Sequence, residues 1–396
     1  MKWFPLLLAA AIATSNTFGQ APSIQWQKCY GGSLGEYLSS LIATNDGGYI
    51  MGGTSGSNDG DATFNQGLRD FWIMKVNAQG ALVWQKSYGG SQQDWCRALS
   101  NTSDGGVLAL GSTASSDGNV STNHGGDDVW LLKLDANGNL LWQKCYGGNG
   151  DDHAWALLER SNGDIVITGN TFSNDGDVNG SHGSGDAWLV GLTATGDLLW
   201  QQCYGGSNDD GFTSIISTAT GYVLSGSTAS NDGEVSGNHG QWDWWAVKLN
   251  NDLSIGWQKC IGGENDDLDV VNIAQSTDGG IALSGFTNST SGDISGHNGA
   301  DDNRDYWVVK LAEFLSVESP QAEANPRDPY GIITTEITLD NLSASTSVSI
   351  YDALGRSVKP WSISYNQIDV SQLLPGMYIL TVMNGKSMHT QMFCKQ

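Results

Sequence analysis

Trp26-Gln27-Lys28-Cys29-Tyr30-Gly31-Gly32 decides the fold, because the chain repeats it. It returns as Trp84-Gln85-Lys86-Ser87-Tyr88-Gly89-Gly90, from Trp142 and Trp200, and as Trp257-Gln258-Lys259-Cys260-Ile261-Gly262-Gly263. The spacings are 58, 58, 58 and 57 residues. A second tryptophan recurs in an Asp-x-Trp context, at Trp72, Trp130, Trp188, Trp245 and Trp307. Ten of the 16 tryptophans thus fall on two repeat positions, and a fixed period of this kind marks a repeat architecture.

Each unit reads as four short strands. The Trp-Gln-Lys strand ends at Gly-Gly, and a mixed run such as Leu38 to Ala43 follows. Asn45-Asp46-Gly47-Gly48 is hairpin chemistry leading to a third strand, Tyr49 to Thr54. After a long Gly/Asn/Asp/Ser loop comes a fourth strand, Phe71 to Val76, and a short turn to the next Trp-Gln-Lys. In that fourth strand Trp130, Leu132 and Leu134 share one face while Val129 and Leu131 share the other. A sheet apolar on both faces must be covered on both, as blades stacked radially are. Small residues on the third strand, Gly52-Gly53-Thr54 and Gly111-Ser112-Thr113, suggest that this strand lies nearest the axis.

The array opens on a Trp-Gln-Lys strand with no predecessor and closes on Tyr306–Leu311 with no successor. Pairing those two would latch a ring, whereas an open β-solenoid would need polar caps. The expected fold is all-β: a five-bladed β-propeller over 23–312 with its ends latched, then an Ig-like antiparallel β-sandwich over 331–396. Pro320, Pro326 and Pro329 place a linker at 313–330.

Composition sets the limits on function. With 18 Lys plus Arg against 42 Asp plus Glu and a formal charge of −24, no basic face exists for nucleic acid or an anionic membrane. The 53 glycines argue against a helical protein. Residues 1–19 combine Lys2, a short apolar run and small residues at Thr17 and Gly19, the pattern of a cleaved signal peptide. No transmembrane segment is expected.

Beyond the prolines stand Asn325-Pro326, then Val348-Ser349-Ile350-Tyr351-Asp352-Ala353-Leu354-Gly355-Arg356-Ser357-Val358, Ile368-Asp369-Val370-Ser371-Gln372-Leu373 and Pro375-Gly376-Met377-Tyr378-Ile379-Leu380. In that order they resemble the C-terminal sorting domain of proteins exported by the type IX secretion system. The resemblance implies engagement of that machinery, passage across the outer membrane, and secretion or attachment to the cell surface. The repeat region is similar to propeller-repeat proteins that precede such domains, whose resemblance names a shape and an address rather than a reaction.

Several repeated residues are candidate sites. Asp59, Asp61, Asp117, Asp175, Asp177, Asp232 and Glu234 lie in Asn-Asp-Gly-type loops. Calcium takes oxygen ligands of this kind, but the same sequence is ordinary Asx-turn chemistry, so calcium and turn are both open. His124, His182, His239 and His297 recur in the same loops and read as hydrogen-bonding braces before zinc ligands. The acid after each Gly-Gly (Glu36, Asp94, Asp152, Asp210, Asp267) either rings one rim or accepts N–H bonds in its own loop. Cys29, Cys145, Cys203 and Cys260 share one repeat position, too far apart on neighbouring blades for disulfides.

Catalysis needs unlike residues in one place. Residues peculiar to one unit are Trp95 and Arg97, His153 with Glu159 and Arg160, Trp242 beside Trp244, and Arg304. They form no recognisable catalytic signature. The reading is a monomeric, non-enzymatic, exported propeller that binds an unknown glycan, protein or ion. The alternative is a secreted polysaccharide hydrolase using rim carboxylates.

Overall fold

The computed structural model describes residues 23–268, 272–298 and 303–312, with strands and several turns between 317 and 395. The repeats form a series of antiparallel sheets. The first holds β1 (Glu36–Ala43), β2 (Tyr49–Ser55), β3 (Asp70–Val76) and β4 (Leu82–Tyr88) in that order. The second holds β5 (Asp94–Asn101), β6 (Val107–Thr113), β7 (Asp128–Leu134) and β8 (Leu140–Tyr146). The third has β9 (Asp152–Glu159), β10 (Ile165–Thr171), β11 (Asp186–Leu192) and β12 (Leu198–Tyr204). The fourth has β13 (Asp210–Thr218), β14 (Gly221–Thr228), β15 (Asp243–Leu249) and β16 (Ile255–Ile261). The fifth has β17 (Asn272–Gln275), β18 (Ile281–Thr287) and β19 (Asp305–Leu311). This is an all-β, propeller-like repeat.

The Trp-Gln-Lys motif has a local reason. It forms the last strand of each of the first four sheets, and its Gln receives the indole N–H of the Asp-x-Trp tryptophan one strand away. The pairs are Trp72–Gln85 (2.9 Å), Trp130–Gln143 (2.8 Å), Trp188–Gln201 (3.0 Å) and Trp245–Gln258 (3.0 Å). A buried indole is thereby satisfied within its own sheet. The tyrosine of the motif reaches onward, donating to Gly138 O from Tyr88, to Gly196 O from Tyr146 and to Leu253 O from Tyr204. Leu253 stands where the preceding repeats have Gly80, Gly138 and Gly196, and shares their left-handed φ, at 67°.

Both faces of the sheets are covered as their sequence requires. Phe71 and Ile73 pack against Trp130, Leu132, Cys96 and Leu99 of the next sheet. On the other face of β7, Val129 and Leu131 pack against Trp188, Val190 and Ile167 of the third. The same alternation joins the fourth sheet to the third and fifth.

Two expectations need correction. The strand that crowds the previous sheet is the first of each sheet, not the Gly-bearing strand: β5 touches β1, β2 and β3, and β9 touches β5, β6 and β7. The glycine serves a different close approach. The first strand bulges between Leu38 and Ser40 or Cys96 and Ala98, and a Cβ at Gly53 or Gly111 would strike the bulged carbonyl of Tyr37 or Trp95.

The latch is the second correction. Among the described residues β19 pairs with β18 alone, and Tyr306 and Val308 stay exposed. The Trp26 segment forms no strand; its indole donates to Ala78 O (2.9 Å) as Trp84 donates to Ala136 O (3.2 Å). The segment therefore sits where a preceding sheet's last strand would lie, held by side chains instead of a ladder. Leu38 and Leu41 remain exposed, and a 530 Å³ groove opens beside Trp26, Met51, Trp72 and Met74.

The C-terminal region forms two four-stranded sheets. One contains β20 (Val317–Glu318), β22 (Glu336–Leu339), β25 (Gln367–Asp369) and β24 (Ser362–Ser364); the other contains β21 (Ile332–Ile333), β27 (Ser387–Lys395), β26 (Gly376–Asn384) and β23 (Thr346–Asp352). Ile368 of the first sheet shares a core with Val348, Ile350, Leu380 and Val382 of the second. Val317 and Glu318 pair with β22, so the sandwich takes in two residues of the expected linker. The rest of 313–330, and the expected signal peptide, lie outside the described residues.

Candidate functional site

Alternation along the first strand of each sheet sends one set of side chains into the sheet-to-sheet core and the other away from it. On β5, Cys96 and Leu99 are buried while Trp95 and Arg97 are half-buried. The outward set converges across sheets. The Arg69 guanidinium lies 4.8 Å from the Tyr37 ring and 5.4 Å from Trp95, and Arg97 lies 5.6 Å from Trp95 and 4.7 Å from Trp155. Tyr37, Arg69, Trp95, Arg97 and Trp155 thus alternate in one row over three sheets.

The row is held from behind. Trp95 Nε1 donates to Gln93 Oε1 (3.1 Å) and Trp155 Nε1 to Asn170 Oδ1 (3.0 Å). Burial pulls the Arg97 pKa down, and Asp127 opposes this. His153 Nδ1 lies 4.0 Å from Asp127 Oδ2. Such a surface offers ring edges and in-plane guanidinium N–H groups, suited to a ligand with both apolar faces and hydroxyl or carboxylate oxygens.

Trp95, Arg97 and His153 stand scattered over two repeats in the sequence. The bulge on each first strand and the 58-residue register bring them together, and neither shows in a single unit. Arg69 and Trp155 carry no signal in the sequence, because their positions vary from unit to unit: Asp127, Gly185, Trp242 and Arg304 stand where Arg69 does, and Ser39, Arg97 and Thr213 where Trp155 does. Glu159 serves elsewhere, accepting from Ser103 N (3.1 Å). Trp244 is fully buried with its ring centroid 4.5 Å from Trp307, so it serves the packing of the core.

The Asn-Asp-Gly acids brace the neighbouring Gly-Gly loops. Asp59 accepts from Ser33 N (2.7 Å), Asp117 from Ser91 N (2.6 Å), Asp175 from Asn149 N (2.8 Å) and Asp232 from Ser207 N (2.8 Å). Asp61, Asp177 and Glu234 accept from Gly31, Gly147 and Gly205 N. Among the described residues no three His, Cys, Asp or Glu gather as a metal cluster.

The acids after Gly-Gly close their own loops. Asp152 accepts from Gly148 N (2.8 Å), Ser173 Oγ (2.8 Å) and Thr171 Oγ1, and Asp94, Asp210 and Asp267 repeat this. His124, His182 and His239 each pair Nδ1 with the aspartate four residues on, at 2.6, 2.8 and 2.6 Å. Among the described residues the cysteines are free; Cys96, Cys145, Cys203 and Cys260 are buried, but Cys29 is exposed because its segment joins no sheet. Burial pushes the Cys203 and Cys260 thiols up to about 12.

Burial also raises the Asp70 carboxyl to about 6, and the facing Asp94 charge pushes the same way. Asp94 is itself raised by burial, with Asp117 adding to it. A carboxyl raised on folding contributes stability below its unfolded pKa that is lost as pH rises through the folded value. Asp104, held down to about 2 by hydrogen bonds from Lys133 and Thr102, loses its contribution only in stronger acid. In EDTA the melting temperature is therefore expected to rise by several degrees from pH 7.5 to 5.5. A flat or falling curve by circular dichroism contradicts the burial of these pairs.

Residues 326–396 match the family described as the secretion system C-terminal sorting domain. A curated relative, the regulatory protein FlaEY of Caulobacter vibrioides, is 25% identical over 207 residues, covering 47% of this chain and 21% of that protein. The chain thus spans about a fifth of that relative's length. Among solved structures, the Neurospora crassa Pan2 WD40 domain is similar at 15% identity and a TM-score of 0.33, covering 63% of this chain and 75% of that one. PorZ, a surface component of the type-IX secretion system of Porphyromonas gingivalis, is similar at 11% identity and a TM-score of 0.28, covering 91% and 51%. The chain therefore ends in a type IX sorting domain, which directs its export to the cell surface or beyond.

Proposed function

We propose that this is an exported binding protein whose repeat array holds a glycan along the Tyr37–Arg69–Trp95–Arg97–Trp155 row, without turning it over. The row carries the reading: three rings and two guanidiniums alternate on one surface of a chain with only 18 basic residues. Ring edges contact the apolar C–H surfaces of sugars, and guanidinium N–H groups donate to their oxygens. The carboxylates after Gly-Gly are tied to Thr, Ser and backbone partners, which favours binding over hydrolysis.

An array of neutral and uronic-acid glycans, probed with the whole chain and with Trp95→Ala, tests this. Retention of a glycan by the parent, its loss in Trp95→Ala, and no release of reducing ends are expected. Equal retention by both proteins, or steady release of reducing ends, overturns the reading.

A further inference from the structure

The two acids of each repeat meet at the seams between sheets. Backbone bonds join the seam first: Asp94 N donates to Arg69 O (2.7 Å), Asp210 N to Gly185 O (2.8 Å) and Asp267 N to Trp242 O (2.7 Å). This brings the aspartate of Asp-x-Trp beside the aspartate that follows Gly-Gly in the next sheet.

Asp70, Asp128, Asp186 and Asp243 have no solvent exposure. Each accepts a backbone N–H on Oδ2, from Gln66 (2.7 Å), His124 (2.9 Å), His182 (2.7 Å) and His239 (3.1 Å). Each leaves Oδ1 buried and without a hydrogen-bond partner. The same orphan recurs at four equivalent places.

The orphan oxygen faces the second carboxylate across a glycine. A Cβ at Gly89 would stand 2.5 Å from both Asp70 Oδ1 and Asp94 Oδ2. At Gly147 it would stand 2.8 Å from Asp128 Oδ1 and 2.5 Å from Asp152 Oδ2, and at Gly262 it would meet the matching oxygens of Asp243 and Asp267. At the remaining seam Gly205 meets Asp210 Oδ2, and the Asp210 N–H bond to Gly185 O (2.8 Å) sets Asp210 beside the residue that precedes Asp186. Two oxygens near one such point lie within about 5 Å of each other, a gap that one ion with bonds of roughly 2.3–2.6 Å spans.

Two buried carboxylates in contact repel, and an unpaired buried charge is costly. We propose that each seam binds a hard divalent cation of calcium size between the orphan Oδ1 and the facing Oδ2. The pairs are Asp70 with Asp94, Asp128 with Asp152, Asp186 with Asp210 and Asp243 with Asp267. These sites are distinct from the Asn-Asp-Gly loops, none of whose acids has a buried oxygen without a hydrogen-bond partner.

Calcium titration of the full chain after EDTA stripping, by calorimetry and thermal melting, is the test. About four ions per chain and a higher melting temperature are expected. Asp128→Asn should lower the count by one, Asp70→Asn should do so independently if the first variant folds poorly, and Asp175→Asn should leave it at four. Three results overturn the proposal: no calcium uptake, an unchanged count in a folded seam variant, or a lower count in Asp175→Asn alone. A calcium-insensitive parent with a more stable Asp128→Asn would show that the pairs hold a proton instead.

Discussion

Trp130→Ala is expected to destabilise the array by about 3–5 kcal/mol, the usual cost of deleting a fully buried large aromatic. Trp130 is wholly inaccessible, its ring stands edge-on to Phe71 of the previous sheet at 4.8 Å, and its N–H is bound by Gln143. Removing it opens a cavity between two sheets and leaves the Gln143 acceptor without its donor. The midpoint of urea unfolding should fall sharply. A change within the scatter of surface variants would mean that the sheets are not stacked through this face.

Asp152→Ala is the second large effect. The carboxylate accepts from Gly148 N, Ser173 Oγ and Thr171 Oγ1. Each buried group left unpaired costs about 1–3 kcal/mol, partly offset by removal of a desolvated charge, so a net loss of order 3 kcal/mol is expected. Asp197→Ala is the control: that acid pairs with Lys144 at 3.0 Å with 63% of its side chain exposed, and the loss there should be far smaller than at Asp152. Equal losses in the two variants, measured in EDTA, would show that the loop closes without Asp152.

The sequence exposed what repetition enforces. Period-2 alternation at Val129–Leu134 announces sheets covered on both faces, and the packing of Trp130 on Phe71 and of Leu131 on the third sheet follows from it. The turn at Asn45–Gly48 and the loop-closing role of the acids after Gly-Gly were legible for the same reason, since local chemistry served them. The innermost strand was misread because a glycine admits any close approach, and Gly53 admits its own neighbour's bulge. The latch was inferred from an unpaired strand at each end, but pairing depends on how far each sheet rotates from the last. That rotation is a sum of small packing angles which no single unit encodes. The Arg–aromatic row stayed hidden because its members come from three sheets, and the seam carboxylates because each pair is split between two units.

Affinity for a glycan retained on the array, measured by calorimetry for the parent, Trp95→Ala and Trp188→Phe, tests the binding account most directly. Trp95→Ala is expected to weaken binding by about 2 kcal/mol, roughly thirtyfold, as loss of a central aromatic contact does. Trp188→Phe, altered in the core away from the row, is expected to bind like the parent. Equal affinity for the parent and Trp95→Ala would contradict the account.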